Sequence, residues 1–199
     1  HRLLILISTH IQFEKIIQEK KNFLIIGPTG SGKTSVLNSF LNLTQDAERS
    51  VIIEDTSEIP LPNQSSLKLL TKNSHHQQQV EITQTDLVKR SLRLRPDRIV
   101  MGEIRGGEAK DFLMALSTGH QGSFGTLHAC DPHQALIRLE MLIQMGAPHW
   151  SLSAIRRLIF LSLDFIVITN KNHQGQRYFA GAYQLSSLEE NGFLIERIF

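Results

Sequence analysis

The stretch Gly27-Pro28-Thr29-Gly30-Ser31-Gly32-Lys33-Thr34 governs how the rest of this chain is read. It fits the pattern G-x-x-x-x-G-K-S/T, and both flanks suit that pattern. Before it, Asn22-Phe23-Leu24-Ile25-Ile26 is an apolar, strand-like run. After it, Val36, Leu37, Phe40 and Leu41 recur at helical spacing. Strand, glycine-rich turn and helix in that order form a phosphate-binding loop. The glycines let the backbone curl without Cβ clashes, so successive N–H groups converge on phosphate oxygens. The helix N-terminus adds partial positive charge. Gly27, Pro28, Thr29, Gly30, Ser31, Gly32, Lys33, Thr34 and the following Ser35 are therefore expected to hold nucleotide phosphates. Lys33 is expected at the β- and γ-phosphates, and the Thr34 hydroxyl on Mg²⁺.

On either side of this loop the chain alternates between two periodicities. Ile11, Phe13, Ile16 and Ile17 predict a short amphipathic helix ending near Lys20-Lys21-Asn22. Residues 1–8 read as an apolar stub. Ser50–Ile53, Ile99–Met101, Ser123–Leu127 and Phe165–Ile168 read as buried strands. Thr83 and Asp86 have the spacing of a capping box, so a helix starts there and Pro96 stops it. Further helices centre on Ala109–Leu116, Ala135–Ile143 and Ile155–Leu161. Tyr178–Leu185 and Phe193–Phe199 read as a terminal antiparallel pair with a turn near Asn191-Gly192. Ile59–Ser66 and His75–Gln79 read as polar loops, and the adjacent histidines lack a metal-ligand spacing. Strands alternating with helices predict an α/β fold, with a mainly parallel sheet and helices on both faces.

Composition narrows the function classes. The 199 residues suffice for one α/β domain, and no internal repeat or linker interrupts them. A formal charge of +2 argues against nucleic acid as a partner. The single cysteine, Cys130, cannot form an internal disulfide and fits a reducing compartment. No apolar run is long enough to span a bilayer. The chain opens on His1 rather than Met, which reads as a piece of something longer.

A phosphate-binding loop needs a partner that holds Mg²⁺ or orients the attacking water. Glu54-Asp55 ends one strand and Glu103 follows another. Strand C-termini of a parallel sheet share the rim that carries the loop, so these carboxylates are expected near the γ-phosphate. The residues leave open which of Glu54 and Glu103 activates water. Taken alone, His120 could be a helix cap, His128 a hydrogen-bonded core histidine, and the arginines around Arg93 a solvated face.

Arg93-Leu94-Arg95-Pro96-Asp97-Arg98-Ile99-Val100-Met101-Gly102-Glu103-Ile104-Arg105 and Thr118-Gly119-His120 through Thr126-Leu127-His128-Ala129 complete a larger pattern. Together with Ile53-Glu54-Asp55 and the phosphate loop, they resemble the four signature boxes of the type II/type IV secretion ATPases. The wording is most similar to the tight-adherence (Flp) pilus branch, with the conjugation-type enzymes close behind. The resemblance runs from the loop to about Leu185. It implies a RecA-like P-loop NTPase domain that hydrolyses ATP with Mg²⁺ and works as a hexameric homo-oligomer. It further implies a cytoplasmic motor at the bacterial inner membrane, with pilus or secretion platform proteins as partners.

By the same resemblance, Glu54 belongs to the Asp box and Glu103 to Walker B, with Thr34, Glu54, Asp55 and Glu103 as the Mg²⁺ set. His120 and His128 belong to the His box, the second facing the γ-phosphate. Arg93 and Arg95 match arginines that stabilise transferred phosphate or link subunits. The family's N-terminal domain is expected to be absent, because only 26 residues precede Gly27. A nucleotide-binding regulatory subunit, a P-loop kinase and a DNA translocase are the competing readings.

Overall fold

The computed structural model describes residues 12–73 and 80–198. The expected stub at 1–8 and the loop at 75–79 lie outside the described residues, as does Ile11. The described part of helix α1 covers residues 12–18. The remaining elements are β1 (Phe23–Ile26), α2 (Lys33–Leu41), β2 (Ser50–Glu54), β3 (Leu67–Leu70), α3 (Gln84–Ser91), β4 (Arg98–Met101), α4 (Glu108–Ser117), β5 (Phe124–Leu127), α5 (Pro132–Gly146), α6 (Leu152–Ser162), β6 (Phe165–Lys171), β7 (Arg177–Glu189) and β8 (Gly192–Arg197).

One sheet of eight strands runs β3-β2-β4-β5-β1-β6-β7-β8. The pairings from β3 to β6 are all parallel. β7 and β8 then add antiparallel, as the terminal pair was expected to do. Strands β1, β2, β4 and β5 are buried along their whole length. That is why their sequences are continuous apolar runs rather than alternating ones.

Side chains alternate across the sheet, so each central strand feeds two cores. On one face Phe23, Ile25, Ile52, Val100, Phe124 and Val167 meet Ile16 and Ile17 of α1 and Leu37, Phe40 and Leu41 of α2. Phe23 and Phe124, paired across neighbouring strands, stack with ring centroids 4.7 Å apart, and Phe40 tilts against Phe23 at 4.6 Å. On the other face Leu24, Ile26, Val51, Ile53, Ile99, Met101 and Ile166 meet apolar residues of α3, α4, α5 and α6. α4 and α5 approach closely where Gly107 faces Gly146. A Cβ on Gly146 would lie 2.4 Å from the Gly107 carbonyl oxygen.

Local chemistry explains most boundaries. The Thr83 hydroxyl accepts from the Asp86 N–H, while the Asp86 carboxylate accepts from the Thr83 N–H, so α3 starts on a full capping box. It ends at Ser91, earlier than the run toward Arg95 suggested. The residue before a proline avoids the helical region. Arg95, before Pro96, instead takes a left-handed φ of 51°. Asp131 and Ser151 cap α5 and α6, and Pro132 sits at the first turn of α5. Two features differ from expectation. β3 forms a half-exposed sheet edge that was not anticipated. β7 is longer than Tyr178–Leu185, with register irregularities that let it bend.

Candidate nucleotide-binding site

A cavity of about 380 Å³ opens at the C-terminal rim of the parallel strands. The loop between β1 and α2 forms its floor. Gly30 and Gly32 have φ of 75° and 93°, left-handed values that a side chain would oppose. Gly27 is confined by its neighbour strand, since a Cβ there would sit 2.4 Å from the Thr169 carbonyl oxygen. The Ser31 and Thr169 hydroxyls bond to each other at 2.8 Å, fixing the loop to β6. Lys33 opens α2 directly after Gly32, so the lysine and the helix N-terminus share one position. Thr29, Gly30, Gly32, Lys33, Thr34 and Ser35 all line the cavity.

Lys33 is buried and folds back over the loop. Its ammonium donates to the carbonyls of Gly27 at 2.9 Å and Pro28 at 3.1 Å. It also lies 3.3 Å from His128 Nδ1. Burial holds the lysine below its ordinary pKa, with nearby Glu103 opposing that shift. An ammonium has no acceptor, so His128 Nδ1 must accept from Lys33. The imidazole proton is then on Nε2, which faces Glu103 Oε1 at 3.1 Å and donates to it. Burial pulls the His128 pKa below its usual value and the Lys33 charge adds to that, while Glu103 opposes both. The result is a neutral imidazole bridging the loop lysine to a carboxylate.

Glu103 is placed by its neighbours. The Gly102 N–H donates to the Ile53 carbonyl at 2.8 Å, the Thr126 hydroxyl to the Gly102 carbonyl at 2.6 Å, and the Ile104 N–H to the Thr126 carbonyl at 2.9 Å. The residue is thus held between β2 and β5. Glu54 is buried at the end of β2, and its Oε1 accepts from the N–H groups of Glu58 and Ile59, both at 3.0 Å. Its Oε2 is buried with no hydrogen-bond partner, and Lys68 Nζ stands 3.5 Å away. Gly102 makes room for this side chain, since a Cβ there would meet Glu54 Cγ at 3.0 Å. Asp55 lines the cavity too, but it pairs with Arg105 and accepts from Gln84 at 3.0 Å and Thr71 at 2.9 Å.

The oxygen donors fit a hard divalent cation. The orphaned Glu54 oxygen, Glu103 and the Thr34 hydroxyl are the groups that would hold Mg²⁺. Asp55 fits less well, because its oxygens are already engaged. Among the described residues no three His, Cys, Asp or Glu side chains converge into a ready cage. Mg²⁺ usually takes one or two protein oxygens and fills the rest with phosphate and water.

Three expected site residues lie elsewhere. Arg93 and Arg95 precede β4, and His120 precedes β5, whereas Glu103 and His128 follow those strands. They therefore sit at the opposite rim, roughly 13 Å of strand away. His120 closes α4, its Nδ1 donating to the Ala115 carbonyl at 3.2 Å. Arg93 and Arg95 are exposed. Two arginines not singled out from the sequence line the cavity instead, Arg105 and Arg177. Arg105 stands two residues past Glu103 and was legible from that spacing. Arg177 comes from the β6–β7 hairpin and carries no local signal.

A glycine-rich loop between a buried strand and a helix, with a lysine inside and carboxylates on the adjacent strand ends, makes this a P-loop nucleotide-binding protein of the α/β class. The family model for type II/IV secretion system proteins matches residues 7–171, and the chain belongs to that family.

Individual relatives agree. A putative conjugal transfer protein of Mycobacterium tuberculosis is 40% identical over 131 residues, covering 66% of this chain and 37% of that protein. The type IV secretion system protein PtlH of Bordetella pertussis is 36% identical over 166 residues, covering 81% and 49%. Among solved structures, the VirB11 ATPase from the Brucella suis type IV secretion system, in complex with sulphate, superposes with a TM-score of 0.79 at 28% identity. That match covers 92% of this chain and 55% of that one. The chain thus spans about half or less of the length of these relatives. Among the described residues no helix is long and apolar enough to cross a membrane.

Proposed function

We propose that this chain is the ATP-hydrolysing motor domain of a pilus-assembly or secretion machine of the bacterial envelope. The relay from Lys33 through His128 to Glu103, set in the P-loop cavity, carries the reading. Lys33 rests on backbone carbonyls and would exchange them for the β- and γ-phosphate oxygens of ATP. His128 then loses its lysine partner and turns its neutral ring toward the γ-phosphate. Glu103, released from the same relay, orients the attacking water, and Glu54 supports it from β2. Thr34, Glu54 and Glu103 are the groups that would hold Mg²⁺, which when bound neutralises charge on the β- and γ-oxygens.

Motion is the output in this reading. Loss of the γ-phosphate removes the group toward which His128 turned, so the relay differs between the ATP and ADP states. Domains or subunits packed on this rim would feel that difference. The working assembly is a homo-oligomer, a hexamer in the full-length protein. It acts in the cytoplasm against inner-membrane platform proteins. The names of the relatives, conjugal transfer and type IV secretion, support a transport role. The bound sulphate of the Brucella homologue supports an oxyanion site in this fold.

The test is Mg²⁺-ATP hydrolysis per subunit over a range of protein concentrations, with Lys33→Ala as the blank. Specific activity that rises with concentration supports a site completed between subunits. Activity at the level of the blank throughout would overturn the motor reading in favour of a nucleotide-binding regulatory subunit.

A further inference from the structure

The cavity has two ends, separated by β1. On one side β5, β4 and β2 bring His128, Glu103 and Glu54. On the other side β7 brings Arg177, while Thr169 of β6 is buried under the loop. Groups that serve metal and water must surround the γ-phosphate. A nucleotide whose β-phosphate rests on the loop therefore points its γ-phosphate toward β5. Its ribose and base then leave over β6 and β7. This orientation rests on the function proposed above.

At that base end the lining contains no Phe, Tyr or Trp among the described residues. The flat groups in the lining are His128, Arg105 and Arg177, and the first two lie on the carboxylate side. Arg177 Nε donates to the Gly30 carbonyl at 3.1 Å. Its Cδ lies 3.0 Å from where a Gly32 Cβ would be, so the side chain lies against the outer surface of the loop. No carboxylate among the described residues pairs with it, and it is exposed at the cavity edge.

The hairpin that delivers Arg177 is held in place. Asn172 Oδ1 accepts from the N–H groups of Gln174 at 3.0 Å and Gln176 at 2.9 Å. The Asn172 N–H reaches the Gln176 carbonyl at 3.0 Å, and Thr169 ties the base of the hairpin to Ser31. A guanidinium tethered through one N–H keeps its plane free, and such planes stack on aromatic rings.

We propose that Arg177 is the nucleobase ligand of this site, a cationic platform on which the adenine ring stacks. The tether to Gly30 makes the platform part of the phosphate loop, so the base and the phosphates are read by one rigid unit.

The experiment measures dissociation constants for Mg²⁺-ATP, Mg²⁺-ADP and inorganic tripolyphosphate on the full chain, with Arg177→Ala and Arg177→Lys beside the parent. Lysine keeps the charge and can still reach the Gly30 carbonyl, but it has no plane. Both variants are expected to weaken ATP and ADP alike, by about tenfold, and to leave tripolyphosphate within about twofold. In turnover KM rises by the same factor and kcat holds. Tripolyphosphate binding that falls with ATP binding would overturn the proposal, because Arg177 would then serve phosphate or loop shape. Parental ATP affinity in Arg177→Lys would overturn it too. A parent chain that binds no nucleotide would instead sink the function on which the inference rests. Thermal midpoints without nucleotide separate a misfolded Arg177→Ala, in which case Arg177→Lys gives the answer.

Discussion

The two rims of the parallel sheet carry similar residue types and use them differently. At the C-terminal rim, charged groups are only partly matched by opposite charge. Lys33 bonds backbone carbonyls, Glu54 Oε2 makes no hydrogen bond and has Lys68 at 3.5 Å, and His128 is shared between a cation and a carboxylate. At the N-terminal rim Arg98 is buried and well matched. Its Nε bonds Glu48 at 2.7 Å, Nη1 donates to the Gly122 carbonyl at 2.9 Å, and Nη2 to the Ile17 carbonyl at 2.8 Å. A buried polar group with its partners supplied holds structure together. One left short of partners needs a separate account, and beside a phosphate loop a ligand can supply it.

The largest expected effect falls on the unmatched rim. Lys33→Ala should lower ATP turnover by roughly 10²–10³-fold, since it removes the charge that meets the phosphates. Unfolding midpoints should move little, because the cost of a desolvated ammonium is lost along with its hydrogen bonds. A stability loss comparable to a core mutation would mean that Lys33 is structural and that the two rims are alike.

Glu103→Gln sharpens the assignment within that rim. If Glu103 orients the attacking water as proposed, this change, which keeps the shape, should lower kcat by about 10²-fold and leave ATP affinity nearly unchanged. Glu54→Gln should instead weaken Mg²⁺-dependent binding, because Glu54 lines the cavity at the end of β2 and takes no part in the His128 relay. Equal loss of kcat in the two variants, measured by single turnover, would end that division of labour.

The matched rim should respond in stability alone. Arg98→Ala leaves Glu48 buried, with only Lys20 at 3.3 Å as a cationic partner. Breaking a buried pair in this way costs about 3 kcal/mol, measurable by urea unfolding. Burial of Glu48 works against its ionisation, but Arg98 and Lys20 outweigh it and hold the pKa below the usual carboxylate value. The sign follows. The pair's stabilisation is complete above the unfolded glutamate pKa and is lost as pH falls through the lower folded value. Arg98→Ala should flatten that acid limb.

Much of this was legible beforehand, for physical reasons. The P-loop carries its own geometry in its glycines, and the buried strands announce themselves as short apolar runs. The Thr83–Asp86 box is a local hydrogen-bond exchange, so sequence spacing suffices to find it. β3 escaped because Leu67–Leu70 is an edge strand, half exposed and without alternation. Arg177 escaped because its role arises from a strand crossing: 147 residues separate it from Gly30. The rim of Arg93, Arg95 and His120 could have been read from strand direction. Residues before a parallel strand and residues after it lie at opposite ends, however near they are in sequence.

That last point yields the smallest expected effect. The resemblance gives Arg93 and Arg95 a part in stabilising transferred phosphate or linking subunits, yet within one chain they stand at the rim away from Lys33. Arg93→Ala and Arg95→Ala should therefore leave ATP affinity of the dilute chain within about twofold of the parent, as exposed substitutions do. If they serve a neighbouring subunit, hydrolysis should fall only at concentrations where chains associate, and mixing either variant with Lys33→Ala should restore part of the activity. Complementation needs an arginine and a P-loop from different chains, so it can occur only if the site is shared. A drop in affinity in dilute solution would place these arginines at their own chain's nucleotide, against the strand polarity that separates the two rims.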